Sequence, residues 1–110
     1  MAMKLVVAII QDRDSDAALH ALTSKRIPVT RVATSGGFLE QGNTTLLLGV
    51  DADMVSVVIE ELRKVCRRRE MFVPVAAGIT DPAYGLQSQI EVEIGGATLF
   101  ILDVLQFAQY

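Results

Sequence analysis

Two β-α-β units in succession, followed by one further strand, predict an α+β fold: a ferredoxin-like β-α-β-β-α-β sandwich with an extra C-terminal strand. Three observations carry that expectation. Short, nearly continuous aliphatic runs recur along the chain. Amphipathic stretches of helical period separate them, with an apolar stripe on one side. The 110 residues are the usual length of one domain, so 1–110 reads as a single unit.

The elements follow in order. Lys4 to Ile10 is an apolar run that suits a strand buried on both faces. Gln11-Asp12-Arg13-Asp14-Ser15 is polar and rich in helix N-caps, and a helix should then run to about Lys25. Ala18, Leu19 and Leu22 lie on one face of it. Asp14 and Asp16 sit at its positive end, Lys25 and Arg26 at its negative end. Pro28 stops it. Val29 to Thr34 is expected as a second strand, broken by Ser35-Gly36-Gly37, and Thr44 to Val50 as a third and central one. A longer helix should begin near Asp51 and Asp53. Its stripe is Met54, Val55, Val58, Ile59, Leu62, Val65 and Cys66, and Arg67-Arg68-Arg69 should close it.

Residues 71–88 show no periodicity and are punctuated by Pro74, Gly78, Pro82 and Gly85, which suggests a long functional loop. Ile90 to Ile94 alternates as a half-buried strand. Gly95-Gly96 is a hairpin signal, with Ala97 to Val104 as the returning strand. The helices should cover one sheet face. Because Leu5, Val7 and Ile9 alternate with Val6, Ala8 and Ile10, the second face also needs a cover, most simply another subunit.

Composition narrows the function classes. Hydrophobic residues make up 51% of the chain and charged residues 21%, which is globular rather than disordered. With four Phe, two Tyr and no Trp, the core must be mainly aliphatic. A net charge of -3 lacks the basic excess of a DNA or RNA binder. The single Cys66 allows no internal disulfide and fits a reducing compartment. Leu5 to Ile10 is too short for membrane insertion, so a cytoplasmic location is expected. One His and one Cys supply no usual zinc ligand set. Glu60 and Glu61 face apart on a helix, and Glu91 and Glu93 share a strand face that reads as solvated. No nucleophile and base stand together, so no catalytic residue, metal or cofactor is assigned. Arg63, Lys64, Arg67, Arg68 and Arg69 read either as a solvated helix end or as a docking patch for an acidic partner. Asp81-Pro82-Ala83-Tyr84 reads as a turn.

The segment Thr34 to Thr45 carries the most chemistry. Gly37-x-x-x-x-Gly42-Asn43-Thr44 is one residue from a phosphate-binding P-loop, but Asn43 replaces the lysine that does the chemistry. The segment also joins two strands, not a strand and a helix. Two readings remain for it. One is a glycine-rich hairpin whose glycines permit positive φ. The other is a nucleotide site, in which Phe38 stacks on a base, Asn43 reads the base edge and the glycine backbone approaches a phosphate.

These residues also carry a resemblance. Ile9-Ile10-Gln11-Asp12-Arg13-Asp14-Ser15, Ala33-Thr34-Ser35-Gly36-Gly37-Phe38-Leu39, Gly42-Asn43-Thr44-Thr45, Gly49-Val50, Val92-Glu93-Ile94-Gly95-Gly96-Ala97-Thr98-Leu99-Phe100 and Phe107-Ala108-Gln109-Tyr110 together resemble the PII-like cyclic-di-AMP receptor family. The resemblance spans nearly the whole chain. It implies a PII-like homotrimer with no catalytic activity and one cyclic-di-AMP in each cleft between subunits. The ligand residues it implies are Thr30, Gly37, Phe38, Leu39, Asn43, Gly49, Phe100 and Gln109. Thr30 would bond a phosphate, while Phe38 and Asn43 would take the roles already given to them.

One departure stands out. The family pattern has an arginine two residues before the matching threonine, and here that position is Pro28. Arg26 is placed to reach the cleft instead; Arg31 points away from Thr30 by the strand period. The first functional expectation is therefore a signalling protein that binds cyclic-di-AMP and relays it through its loops to an unidentified protein partner. A PII-like protein for ATP, ADP or AMP, or an adaptor trimer without a small ligand, are the alternatives. Phe38→Ala should weaken nucleotide binding by about 1–3 kcal/mol in a calorimetric titration. Its unfolding midpoint should stay at the wild-type value; a variant that binds normally but unfolds readily would make Phe38 structural.

Overall fold

A computed structural model gives the architecture and describes residues 2–33, 42–74 and 89–110. The elements run β1 (Met3–Gln11), α1 (Asp12–Ser24), β2 (Thr30–Ala33), β3 (Asn43–Asp51), α2 (Val55–Cys66), β4 (Arg69–Pro74), β5 (Gln89–Ile94) and β6 (Ala97–Asp103). A single 3-10 turn at Ala52–Met54 leads into α2. The main sheet has the order β2-β3-β1-β6, antiparallel throughout, and β4-β5 forms a separate two-stranded ribbon.

This is the ferredoxin-like arrangement, with β6 as the fourth strand of the sheet. The additional strands are the inserted β4–β5 pair, and they precede the C-terminal strand.

The core forms where the strand period of two meets the helical stripes. Val6, Ala8 and Ile10 of β1 are buried beside Leu46, Leu48 and Val50 of β3, under Ala18 and Leu22 of α1 and Val58, Leu62 and Cys66 of α2. Leu48 stands opposite Val6, and Leu46 opposite Ala8. The intervening residues Leu5, Val7, Ile9 and Leu47 face the other side, where no helix lies among the described residues, and are only half-buried.

Three local expectations need correcting. α1 begins at Asp12 directly after β1, and Gln11 at its N-cap makes no side-chain cap. The polar stretch from Asp12 onward is the first turn of the helix, not a loop before it. α2 stops at Cys66, where Arg67 turns extended, so the three arginines do not close a helix. Arg69 begins β4 and its guanidinium lies 2.6 Å from the buried Asp14 carboxylate. Finally, Gly95-Gly96 is not a hairpin turn. β5 pairs with β4 and β6 with β1, so the dipeptide carries the chain from the ribbon into the main sheet. Its glycines have φ of +91° and +95°, and a Cβ on Gly95 would collide with the Arg67 carbonyl.

α1 ends in a Schellman motif. The N–H of Arg26 donates to the Thr23 carbonyl at 2.9 Å and that of Ile27 to the Leu22 carbonyl at 3.0 Å. Buried Ile27 sits near buried Leu22, the apolar contact that accompanies this ending. Arg26 occupies the left-handed position, with φ of 59°.

Cys66 is a buried free thiol, as its place on the α2 stripe indicates. Burial pushes its pKa up to about 11, the Asp14 charge adds to the rise and Arg69 opposes it. In the unfolded chain the thiol ionises near 9.0, so between pH 9.0 and about 11 the unfolded state holds fewer protons than the folded one. Stability should fall as pH rises through that window. Urea unfolding of wild type and Cys66→Ala at about pH 8, 9.5 and 11 measures this: the wild type should lose more stability than the variant, and parallel losses would contradict it.

Candidate functional site

The face of the main sheet without helices gathers most of the sequence-derived candidates. Register places Thr30 opposite Leu47, Leu47 opposite Val7 and Val7 opposite Phe100. Thr30, Leu47, Val7 and Phe100 therefore form one row across all four strands, on the side away from α1 and α2. A second row runs through Val32, Thr45, Ile9 and Thr98, and a third through Gly49, Leu5 and Leu102. Phe100 is 54% exposed, and Val32 and Leu102 also lie open. Thr30 and Phe100 share a face but stand on opposite edge strands, three strand spacings or roughly 14 Å apart.

Asn43 and Gly49 are both exposed on this face of β3. Six residues separate them, about 20 Å of extended chain. Asn43 is opposite Gln11 at one end of β1, and Gly49 is opposite Leu5 towards the other. Gln109 follows β6 in an exposed tail with Leu105, Phe107 and Tyr110. Gly37, Phe38 and Leu39 lie outside the described residues.

Gly49 has space around it. The heavy atom nearest to a Cβ added there would be Met3 Sδ at 4.0 Å, so the fold does not require glycine at this position. It opens onto a hollow of about 220 Å³ whose rim includes Arg26, Pro28, Met3 and Asp51. Arg26 thus shares a concavity with Pro28 and Gly49. Arg31 is committed to the helix side, donating to Asp16 Oδ1 at 2.9 Å and Ser15 Oγ at 3.1 Å. Both placements agree with the strand period.

The strand-to-helix turn has a role that its sequence does not reveal. The Asp12 N–H donates to the Gly42 carbonyl at 3.1 Å, and the Thr44 hydroxyl donates to the Asp12 carboxylate. A Cβ on Gly42 would strike that carboxylate. The return of the chain from segment 34–41 is therefore fixed against the start of α1. The spacing of Asp12, Asp14 and Asp16 is the only local signal of this role, and helix capping accounts for the same spacing.

The ionisable groups among the described residues are mostly exposed or paired. His20, Glu91 and Glu93 are exposed. Glu70 on the ribbon has its pKa raised by a hydrogen bond with Glu91. Glu61 is held by Lys25 at 3.0 Å. Among the described residues no group of His, Cys, Asp and Glu is arranged to hold a metal ion. Among them, too, no helix is long and apolar enough to cross a membrane.

Comparison with known proteins places this geometry. The chain is similar in structure to a functionally unknown protein from Pediococcus pentosaceus, with 35% identity and a TM-score of 0.78, covering 100% of this chain and 99% of that one. It shares its fold with a DUF3240 family protein from Shewanella baltica, at 14% identity and a TM-score of 0.57, covering 100% and 98%. It also shares it with CPII, a nitrogen regulatory PII-like protein from Thiomonas intermedia bound to ADP, AMP and bicarbonate, at 11% identity and a TM-score of 0.52, covering 96% and 93%. The fold is thus PII-like. The model of the cyclic-di-AMP receptor family matches residues 3–110, and the chain belongs to that family.

Proposed function

We propose that the protein is a non-catalytic signalling trimer that binds cyclic-di-AMP at the junctions between subunits and relays it to a protein partner. The observation that carries this reading is the spread of the candidate residues. Thr30 and Phe100 occupy the two edges of one sheet face, and aliphatic Leu47 and Val7 lie between them. One chain cannot bring both edges onto one small group. Two copies can, if the β2 edge of one meets the β6 edge of the next. A contact of that kind is heterologous, and three copies close it into a ring. The aliphatic centre of each face is then covered by its neighbours.

In such a cleft Thr30 donates its hydroxyl to a phosphate, Asn43 reads an adenine edge, and Phe38 and Phe100 offer aromatic faces. Gly37 and Gly49 let the ligand approach the backbone, while Leu39 and Gln109 complete the wall. Ligand binding at the segment around Phe38 changes the surface that the protein offers to the partner. Pro28 favours a second reading, an adenine mononucleotide as ligand, because a proline offers a phosphate neither charge nor N–H donor. CPII, a fold relative, binds ADP and AMP.

Calorimetric titration with cyclic-di-AMP, ATP, ADP and AMP, paired with light scattering, tests the proposal. We expect one cyclic-di-AMP per chain and a mass three times the 11.9 kDa of the chain. Gly49→Val should fold as stably as wild type, since a strand accepts valine and the site has room, yet lose most of its affinity. A stable monomer at micromolar concentration would remove the intersubunit site. Binding of mononucleotides alone would establish the second reading, and no binding at all would leave an adaptor trimer.

A further inference from the structure

A second hollow lies on the helix-covered side of the sheet, away from the candidate ligand residues. It measures about 250 Å³ and opens between the end of α2 and the start of β6. Ala97 and Leu99 of β6 stand opposite the buried Ile10 and Ala8, so they face the helices and not the side that carries Phe100. With Ile59 and Leu62 of α2 they make an apolar floor. Ile101, next on the same side of β6, is 44% exposed and continues the apolar strip beyond the hollow.

The rim is basic. Arg63, Arg67 and Arg68 border the hollow and all three are exposed, in a chain whose net charge is -3. The fold makes little use of them. Arg63 has Glu60 at 3.9 Å and Arg68 has Glu93 at 3.8 Å, and such long, solvent-exposed pairs contribute little. Arg67 has no ion pair among the described residues. Arg69, by contrast, is drawn away to the buried Asp14. The α2 dipole accounts for Arg63, in the last turn of the helix. Arg67 and Arg68 follow the helix, and what they share with Arg63 is the hollow. Arg68 passes over Gly96, where an added Cβ would meet its Nε at 3.3 Å.

We propose that this hollow is a docking site for an acidic protein segment, which seats one aliphatic side chain on the floor and lays flanking carboxylates against the arginines. The assignment rests on the reading that the protein relays to a protein partner, and not on which nucleotide it binds. Charge complementarity asks for carboxylates, and guanidinium forks match them well. Size asks for a side chain: about 250 Å³ falls below the roughly 300–1,000 Å³ of small-molecule sites. A free anion fits poorly, because the floor is apolar and the C-terminal end of α2 carries partial negative charge. Gly96 forms part of the wall, so a segment seated here lies at the base of the β4–β5 ribbon.

Wild type, Arg67→Glu and Ala97→Leu are titrated with three short capped peptides, followed by methyl NMR and calorimetry. The first peptide has glutamates around one central leucine. The second has serine for that leucine, and the third has lysines for the glutamates. The glutamate–leucine peptide should bind wild type and shift the methyl signals of Ile59, Ala97 and Leu99. Serine should weaken it roughly ten-fold or more, the worth of one buried aliphatic side chain, and lysines should abolish binding. Arg67→Glu should weaken the first peptide about ten-fold at low salt and less at high salt. Ala97→Leu fills the floor without changing charge, and should erase the preference for leucine over serine. Both positions are exposed, so both variants should melt with wild type; if Arg67→Glu melts lower, Ala97→Leu decides. Equal binding of all three peptides, or shifts remote from the hollow, would overturn the proposal. So would inorganic phosphate producing the same shifts as tightly, which would make the hollow a simple anion site. Cyclic-di-AMP is titrated into the same proteins. Nucleotide binding without peptide binding overturns the docking site and leaves the functional reading intact. Peptide binding without nucleotide binding sustains the docking site and removes the nucleotide reading.

Discussion

The structure depends on the double character of β1. Its even-numbered residues Val6, Ala8 and Ile10 are buried beneath both helices, and its odd-numbered residues Leu5, Val7 and Ile9 are nearly as apolar but face no helix. A strand that alternates polar with apolar would have been content with one cover. β3 repeats the pattern, with Leu46, Leu48 and Val50 inside and Leu47 outside. Val32, Phe100 and Leu102 extend the open face to both edges. At roughly 25 cal/mol per Å² of apolar surface, covering such a face is a large favourable term. Among the described residues, β2 and β6 each pair with a strand on one side only. Apolar face and edges together favour association of copies, which is where the proposed ligand clefts arise.

The second organising feature is the turn where β1 becomes α1. From Gln11 to Asp16, consecutive residues reach different parts of the chain. Gln11 Oε1 accepts from the Gly95 N–H at 2.8 Å, at the crossover between ribbon and sheet. Asp12 holds Gly42 and Thr44. Arg13 lies 3.2 Å from Met71 Sδ on β4. Asp14 pairs with Arg69, and Ser15 and Asp16 with Arg31. A two-stranded ribbon is marginal on its own in water. The Asp14–Arg69 contact anchors β4 to the first turn of α1, and because Asp14 is buried, removing Arg69 would leave its carboxylate without an ion-pair partner. The same first turn carries positive partial charge from the helix, which favours the Asp12 and Asp14 carboxylates there.

Much of this is legible in the sequence, and the failures have physical causes. β1, β3 and α2 are clear because each carries a long periodic or continuous apolar signal. The parity of β2 is also clear, and it places Thr30 on the open face and Arg31 against α1. β4 escapes a local reading because Arg69-Glu70-Met71-Phe72 has no alternation, and its partner β5 begins at Gln89, far along the chain. The pair exists through a long-range register that no local pattern encodes. Gly95-Gly96 does mark a place needing positive φ, but positive φ does not say whether a chain folds back or crosses over. The candidate site is legible as a face and not as a cluster. Thr30, Gly49, Asn43 and Phe100 share that face, yet no single chain draws them together, and Gly37, Phe38 and Leu39 fall outside the described residues.

Local rules are broken together at one place, and that coincidence carries information. Arg26 occupies a left-handed position better suited to glycine. Gly49 lies inside β3, where a side chain would fit and glycine weakens the strand. Pro28 lies just before an edge strand and supplies no N–H. Any one of these would be an ordinary compromise. All three border the same hollow, and the strands and helices around it follow their propensities. Natural sequences tend to violate local consistency where function demands it and to respect it elsewhere. The hollow beside β2 and β3 is therefore where the fold yields most to another requirement. The residues that yield are a cation, a missing side chain and a rigid ring, which between them supply charge, room and a fixed wall.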